Sequence, residues 1–212
     1  MSLRRLCAAA SVLAAVAVGA PAASAQEVNF TNWTVSGTLG IRKLNQSITI
    51  PAGAAFNGSW NVATGSLTGH VSVPTIRTRL RVLGFPVDAT LELQEAQPVS
   101  GSISIGADGN VTVSARSAAT IYIRRLASPY LPLNLVRSAT CRTSRPVELP
   151  LSARAPFTAL AQGLTFSGVT TLPPLTGCGL STPLLNLLMA GPNNPFAIRL
   201  APPASGGDSL PS

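Results

Sequence analysis

Three arginines at alternate positions, Arg77, Arg79 and Arg81, form the most regular array of reactive groups in the chain. On an extended strand they stand about 7 Å apart on one face, and guanidinium groups so spaced could engage a polyanion or lipid phosphates. The competing account is a solvated strand face, neutralised by neighbouring carboxylates and kept from edge pairing by its charge. Catalytic arrangements are harder to assemble. A serine hydrolase needs a nucleophile, a base and an orienting acid, usually with Gly-x-Ser-x-Gly on a strand-to-helix turn. The nearest approach, Gly101-Ser102-Ile103-Ser104-Ile105-Gly106, has the wrong spacing and falls inside an expected strand. His70, the sole histidine, shares a polar strand face with Thr68 and Ser72, so an exposed strand position is expected for it. A triad of His70, Asp88 and a serine would have to come together at long range. Of seven acidic residues, Glu27 and Asp208 are terminal, Asp108 belongs to a turn, and Asp88 and Glu92 face arginines. That leaves little for paired-carboxylate chemistry. No spacing suits a metal ion, and no glycine loop opens a helix to cradle phosphate. The expectation is a protein without catalytic residues, metal ligands or cofactors.

The arginines belong to an alternating stretch, Thr75 to Glu95. Ile76, Thr78, Leu80 and Val82 point one way and the arginines the other; beyond a Leu83–Pro86 turn, Val87, Ala89, Leu91 and Leu93 resume the apolar face. Pairing about that turn sets Arg81 opposite Asp88, Arg77 opposite Glu92, Val82 opposite Val87 and Ile76 opposite Leu93. Upstream, strands are expected in 28–50, and Ala54–Pro74 reads as a hairpin with Trp60 opposite either Gly69 or Leu67. Apolar parity flips at Pro74, which calls for a bulge or a turn between sheets. Downstream, Val99–Ile105 and Val111–Ala115 flank a GADGN turn, with Ile105 opposite Val111 and Ile103 opposite Val113, and Ala119–Leu126 is a further strand. From Phe56 to Leu126 the spacing suggests a meander of short strands. The remainder is less regular. Val147–Leu151 is a strand that Pro150 places at an edge or interrupts, 163–173 is another, and a short helix opens at Thr182, as N-cap, and Pro183 and stops at Gly191-Pro192. Phe196–Leu200 reads as a last strand.

Residues 1–25 carry two arginines, an apolar run from Leu6 to Ala20, and Ala23-Ser24-Ala25. This is the grammar of a cleaved secretory signal, too short and alanine-rich for an anchor. Cys7 would leave with it. Cys141 and Cys178 then form an even set in an oxidising compartment, and a disulfide between them is expected. Fourteen of the fifteen basic residues are arginine, and loss of Arg4 and Arg5 leaves thirteen against seven acidic residues, a net charge of +6. Aromatic residues make up only 5% of the chain, which argues against the stacking grooves of nucleic-acid binders. Attraction to lipid headgroups or to an anionic envelope polymer is the partner class that charge supports.

The segments FNGSWNVATGSLTGHVSVP, PVSGSISI, CRTSRPVELPL, TTLPPLTGCG and LLNLLMAGPNNPFAIRLAPP, in that order, resemble a group of small secreted, β-rich actinobacterial proteins of uncharacterised function. The resemblance implies export, an all-β domain and a Cys141–Cys178 bridge, and transfers no catalytic residue. The reading is a leader at 1–25, one all-β domain over 27–200 and a disordered tail over 201–212. The domain is an antiparallel β-sandwich or partly open barrel with one short C-terminal helix and one disulfide. The expected setting is extracellular or envelope-associated. The expected function is non-catalytic binding of an apolar or amphipathic ligand, or of an anionic surface through Arg77, Arg79 and Arg81. A structural or adhesive module with a filled core is the alternative, and a lipid or ester hydrolase ranks third. An enclosed cavity of several hundred Å³ would favour ligand carriage.

Overall fold

The computed structural model describes residues 26–130, 134–136 and 139–203; the expected leader, and residues 204–212 of the expected tail, lie outside them. Thirteen antiparallel strands form one sheet. They are β1 (Glu27–Ile41), β2 (Gln46–Thr49), β3 (Ala55–Asn61), β4 (Ser66–Ser72), β5 (Ile76–Val82), β6 (Phe85–Ile105), β7 (Asn110–Ala127), β8 (Asn134–Val136), β9 (Arg142–Thr143), β10 (Val147–Pro156), β11 (Leu164–Leu172), β12 (Leu175–Thr176) and β13 (Gly191–Ala201). The single α-helix among the described residues, α1, spans Thr182–Met189. The main path runs β11-β13-β1-β3-β4-β6-β7-β9-β12, with β10 and β8 also paired to β7, β5 to β6 and β2 to β1.

Two long strands organise this sheet, where the sequence suggested only short ones. β6 has 21 residues and β7 has 18, because the chain stays extended through 94–98 and 116–118, where the in–out alternation lapses and local register shifts take the place of turns. Shorter strands line up end to end along them: β4 and then β5 on β6, and β10, β9 and β8 on β7. Pro74 lies in the gap between β4 and β5, where the parity of buried residues changes from Leu67 and Gly69 to Ile76 and Leu80. The flip is thus the point where the chain leaves one half of β6 for the other.

The hairpin of β5 and β6 keeps its expected faces but not its expected register. Arg79 lies opposite Asp88, Leu80 opposite Val87 and Ile76 opposite Leu91, a slip of two residues from the pairing that alternation suggested. Leu83 and Gly84 form a two-residue turn, with φ of 53° and 84°, the geometry that matches the twist of flanking strands. Arg81 therefore does not meet Asp88, nor Arg77 Glu92; Glu92 is bonded by Arg124 Nε at 2.6 Å instead. Elsewhere Trp60 pairs with Leu67, Ile105 with Val111 and Ile103 with Val113. Gly58 and Gly69 face each other under the Phe56 ring, where a Cβ at either would come within 2.6 Å of it. The helix ends at Met189, and Gly191 opens β13 instead of merely stopping α1. The Thr182 hydroxyl donates to Gly179 O at 2.8 Å and does not cap the helix.

Apolar side chains from the concave face build two clusters. One gathers Phe30, Phe56, Trp60, Ile103, Val113 and Phe166; the other joins Leu80, Leu91, Ile123 and Leu126 to Leu185 of α1 and to the cysteines. Cys141 and Cys178 form a disulfide, with Cα atoms 4.2 Å apart. It ties the paired two-residue strands β9 and β12 to the end of the sheet, where Ile123 N donates to Cys141 O at 2.9 Å.

The 106–110 turn is held by Asp108, which accepts from Asn110 Nδ2 at 2.8 Å, Asn110 N at 3.1 Å and Arg154 Nη2 at 2.5 Å. Bonds from the Asn110 side chain, then its backbone, then Arg154 lower the carboxyl pKa to about 2. A depressed carboxyl contributes stability above its unfolded pKa of about 4 and loses it as pH falls through the folded value. The stability difference between the parent and Asp108→Ala is expected to be full above about pH 5 and to shrink as pH falls toward 2, measured by urea unfolding across that range.

Candidate ligand site

The sheet curls so that β10 and β11 lie side by side without a hydrogen-bonded ladder, and it remains open along this seam. The bond recorded across it, among the described residues, runs from Thr170 Oγ1 to Glu148 O at 2.5 Å. Since Glu148 O points into the seam, strand alternation aims the backbone of Pro150 and Pro156 the same way. Neither has an N–H to give, which denies β11 a regular partner. The edge position expected of Pro150 is thus the wall's opening. Thr171 is bulged out of the β11–β13 ladder at the same level.

Outside the seam is a cleft of about 600 Å³, whose lining includes Arg116, Arg145, Glu148, Leu149, Thr170 and Asn193. Arg116 comes from β7 opposite Pro150, and Arg145 from the turn before β10. Both guanidinium groups are exposed, and among the described residues no carboxylate lies within salt-bridge distance of either. Inside the seam lie two apolar cavities of about 100 Å³ and 60 Å³. Leu39 and Leu93 line both, so the two are neighbours along one interior. Leu149 borders the cleft and the larger cavity; Thr170 borders the cleft and the smaller one. The larger cavity exists because Ser117, Ala118 and Ala119 present small side chains to it. Both fall below the several hundred Å³ that would enclose a whole lipid, so the interior admits only the end of an apolar group.

One carboxylate reaches the larger cavity. Glu95 is 22% exposed, accepts from Val71 N at 3.0 Å and contacts His70 Nδ1 at 2.8 Å. The β4–β6 ladder ends at Gly69, and Glu95 continues it with its side chain. Glu95→Ala strands the Val71 N–H and is expected to cost about 1–2 kcal/mol, whereas His70→Ala, at an exposed position, should cost less than about 0.5 kcal/mol. Urea titration of the two variants compares them. His70 is on an exposed strand face as expected, but nothing in the alternation marked Glu95 as its partner.

Asp88 is engaged by Arg79 Nε at 2.8 Å, so His70 and Asp88 are not brought together. Of the arginine row, Arg79 is thereby paired. Arg77 and Arg81 are exposed with no carboxylate in salt-bridge range among the described residues, and the Arg81 backbone is fixed by two 2.7 Å bonds with the Gln46 side chain. No group of His, Cys, Asp or Glu suited to a metal ion occurs among the described residues. No helix there is long and apolar enough to cross a membrane. Comparison with protein-family models, curated proteins and solved structures finds no match to the chain.

Proposed function

We propose that this is an exported, non-catalytic binder of small anionic amphiphiles. The observation that carries the reading is the unladdered seam, where a cleft holding two arginines with no carboxylate in salt-bridge range among the described residues adjoins an apolar interior across Leu149 and Thr170. A carboxylate or phosphate would sit against Arg116 and Arg145, and a short tail would pass between β10 and β11. The larger cavity, about 100 Å³, is somewhat smaller than the roughly 150 Å³ apolar cavity known to take up benzene. Only the last carbons of a tail would enter it, with the rest of the chain lying in the seam and the cleft. The disulfide is consistent with an oxidising compartment.

Calorimetric titration with octanoate tests the reading, against octan-1-ol for the tail alone and acetate for the charge alone. Saturable one-to-one binding of octanoate, with both controls markedly weaker, is expected. Octanoate binding no better than either control would contradict it and favour the structural or adhesive role, which the smallness of the two cavities supports.

A further inference from the structure

The end of the molecule formed by the β5–β6 turn breaks two ordinary rules at once. Leu83 occupies the left-handed region, φ 53°, at the first position of a turn that favours Asn or Asp there. A bulky residue in that conformation is a strained outlier. It is also 64% exposed, and the next strand starts with Phe85 at 60%. Neither folding nor core packing explains a solvent-facing leucine where asparagine would fit better.

The surroundings point to a partner. Leu83 lines a shallow hollow with Lys43, Arg81 and Tyr130, the last 76% exposed. Lys43 Nζ donates to Leu187 O at 3.0 Å, which sets the 69% exposed Leu187 beside the same ammonium group. Asp88, the carboxylate of this hairpin, is already held by Arg79. Lys43 and Arg81 keep uncompensated charge among the described residues, and Arg77 continues it along the strand. Exposed leucine and aromatic side chains ringed by cations match the boundary of an anionic bilayer, where apolar groups enter the acyl region and ammonium and guanidinium groups meet phosphates.

We infer that the Leu83–Phe85 tip, with Lys43 and Arg81, is a docking surface for an anionic lipid bilayer. This is separate from the seam and stands or falls independently of it. The test is co-sedimentation of the protein with sucrose-loaded vesicles of phosphatidylglycerol and phosphatidylcholine, against vesicles of phosphatidylcholine alone. The parent should bind the anionic vesicles, and high salt should release it. Leu83→Asn combined with Phe85→Ser should lower the partition coefficient at least about tenfold, given the apolar area withdrawn from the bilayer. The fold should survive, because Asn-Gly is the preferred sequence for this turn. Lys43→Gln with Arg81→Gln should lower the partition coefficient about thirtyfold, at roughly 1 kcal/mol per basic residue near an anionic surface. Arg199→Gln, away from the tip, should bind like the parent. Equal binding to both vesicle types, binding unchanged by both tip variants, or pelleting without vesicles through self-association would each overturn the inference.

Discussion

Replacing Cys141 and Cys178 together by alanine should lower the stability of the domain by about 4 kcal/mol, as expected for opening a loop of this length. The bridge closes a sequence separation of 37 residues. That is a large share of the roughly 5–15 kcal/mol that holds a domain folded. Within this loop β10 and β11 are held by long ladders to β7 and β13, but the short elements next to the bridge have little else to hold them. β9 and β12 are two residues each and, among the described residues, form ladder pairs with one another and with Tyr122 alone, and α1 has eight residues, too few to persist alone. Both cysteines are buried against Leu185 and Ile123, so the alanines also leave a small void. The loss should be local first. In hydrogen exchange, amides of 139–143 and 175–189 should open well before those of β1, β3, β6 and β7, and the urea midpoint should fall. An unchanged midpoint would mean that packing of the second cluster, not the bridge, holds this end.

The second large effect concerns the cleft. Arg116→Gln combined with Arg145→Gln should weaken octanoate binding about thirtyfold, from roughly 1 kcal/mol lost per charge-assisted contact once solvent screening is allowed for. Stability should be nearly untouched, because both side chains are exposed and carry no carboxylate partner among the described residues. Arg77→Gln, on the distant hairpin, should leave octanoate affinity as it is. Calorimetry on the three variants separates a localised site from general attraction to a basic protein. A uniform decline with each arginine removed would indicate the latter.

The all-β character and the inward faces of the hairpins were legible from two-residue alternation, and the disulfide from the even pair of cysteines left after the expected leader. Register was not, and the β5–β6 hairpin shows why. A one-residue slip would have turned Leu80 and Val82 to solvent, so alternation forbids it; a two-residue slip leaves every face unchanged and is invisible to pattern. Only the turn decides between these, and Leu83 is a poor signal for the left-handed residue that a two-residue turn requires. The arginine row was visible, but its one ion pair, Arg79–Asp88, follows from the slipped register. At the seam, Pro150 announced an edge. Which strand would face that edge depended on the curl of the whole sheet, with β7 and β13 each bringing a neighbour around from opposite sides. Nothing in the pattern joined Arg116 to Arg145 until that curl put them in one cleft. Glu95 was hidden for a similar reason, since its bonds to Val71 and His70 replace ladder bonds that a regular strand would have made.

Tryptophan fluorescence with ω-bromooctanoate tests most directly whether a tail enters the interior. Trp60 is buried in the apolar cluster, so with the partly buried Trp33 replaced by Phe, bromine at the chain end would approach the remaining indole only from inside the sheet. Saturable one-to-one quenching, abolished by excess octanoate and weakened in the Arg116/Arg145 double variant, is the predicted result. Quenching that rises linearly without saturating, or that matches bromide ion at the same concentration, would contradict entry through the seam.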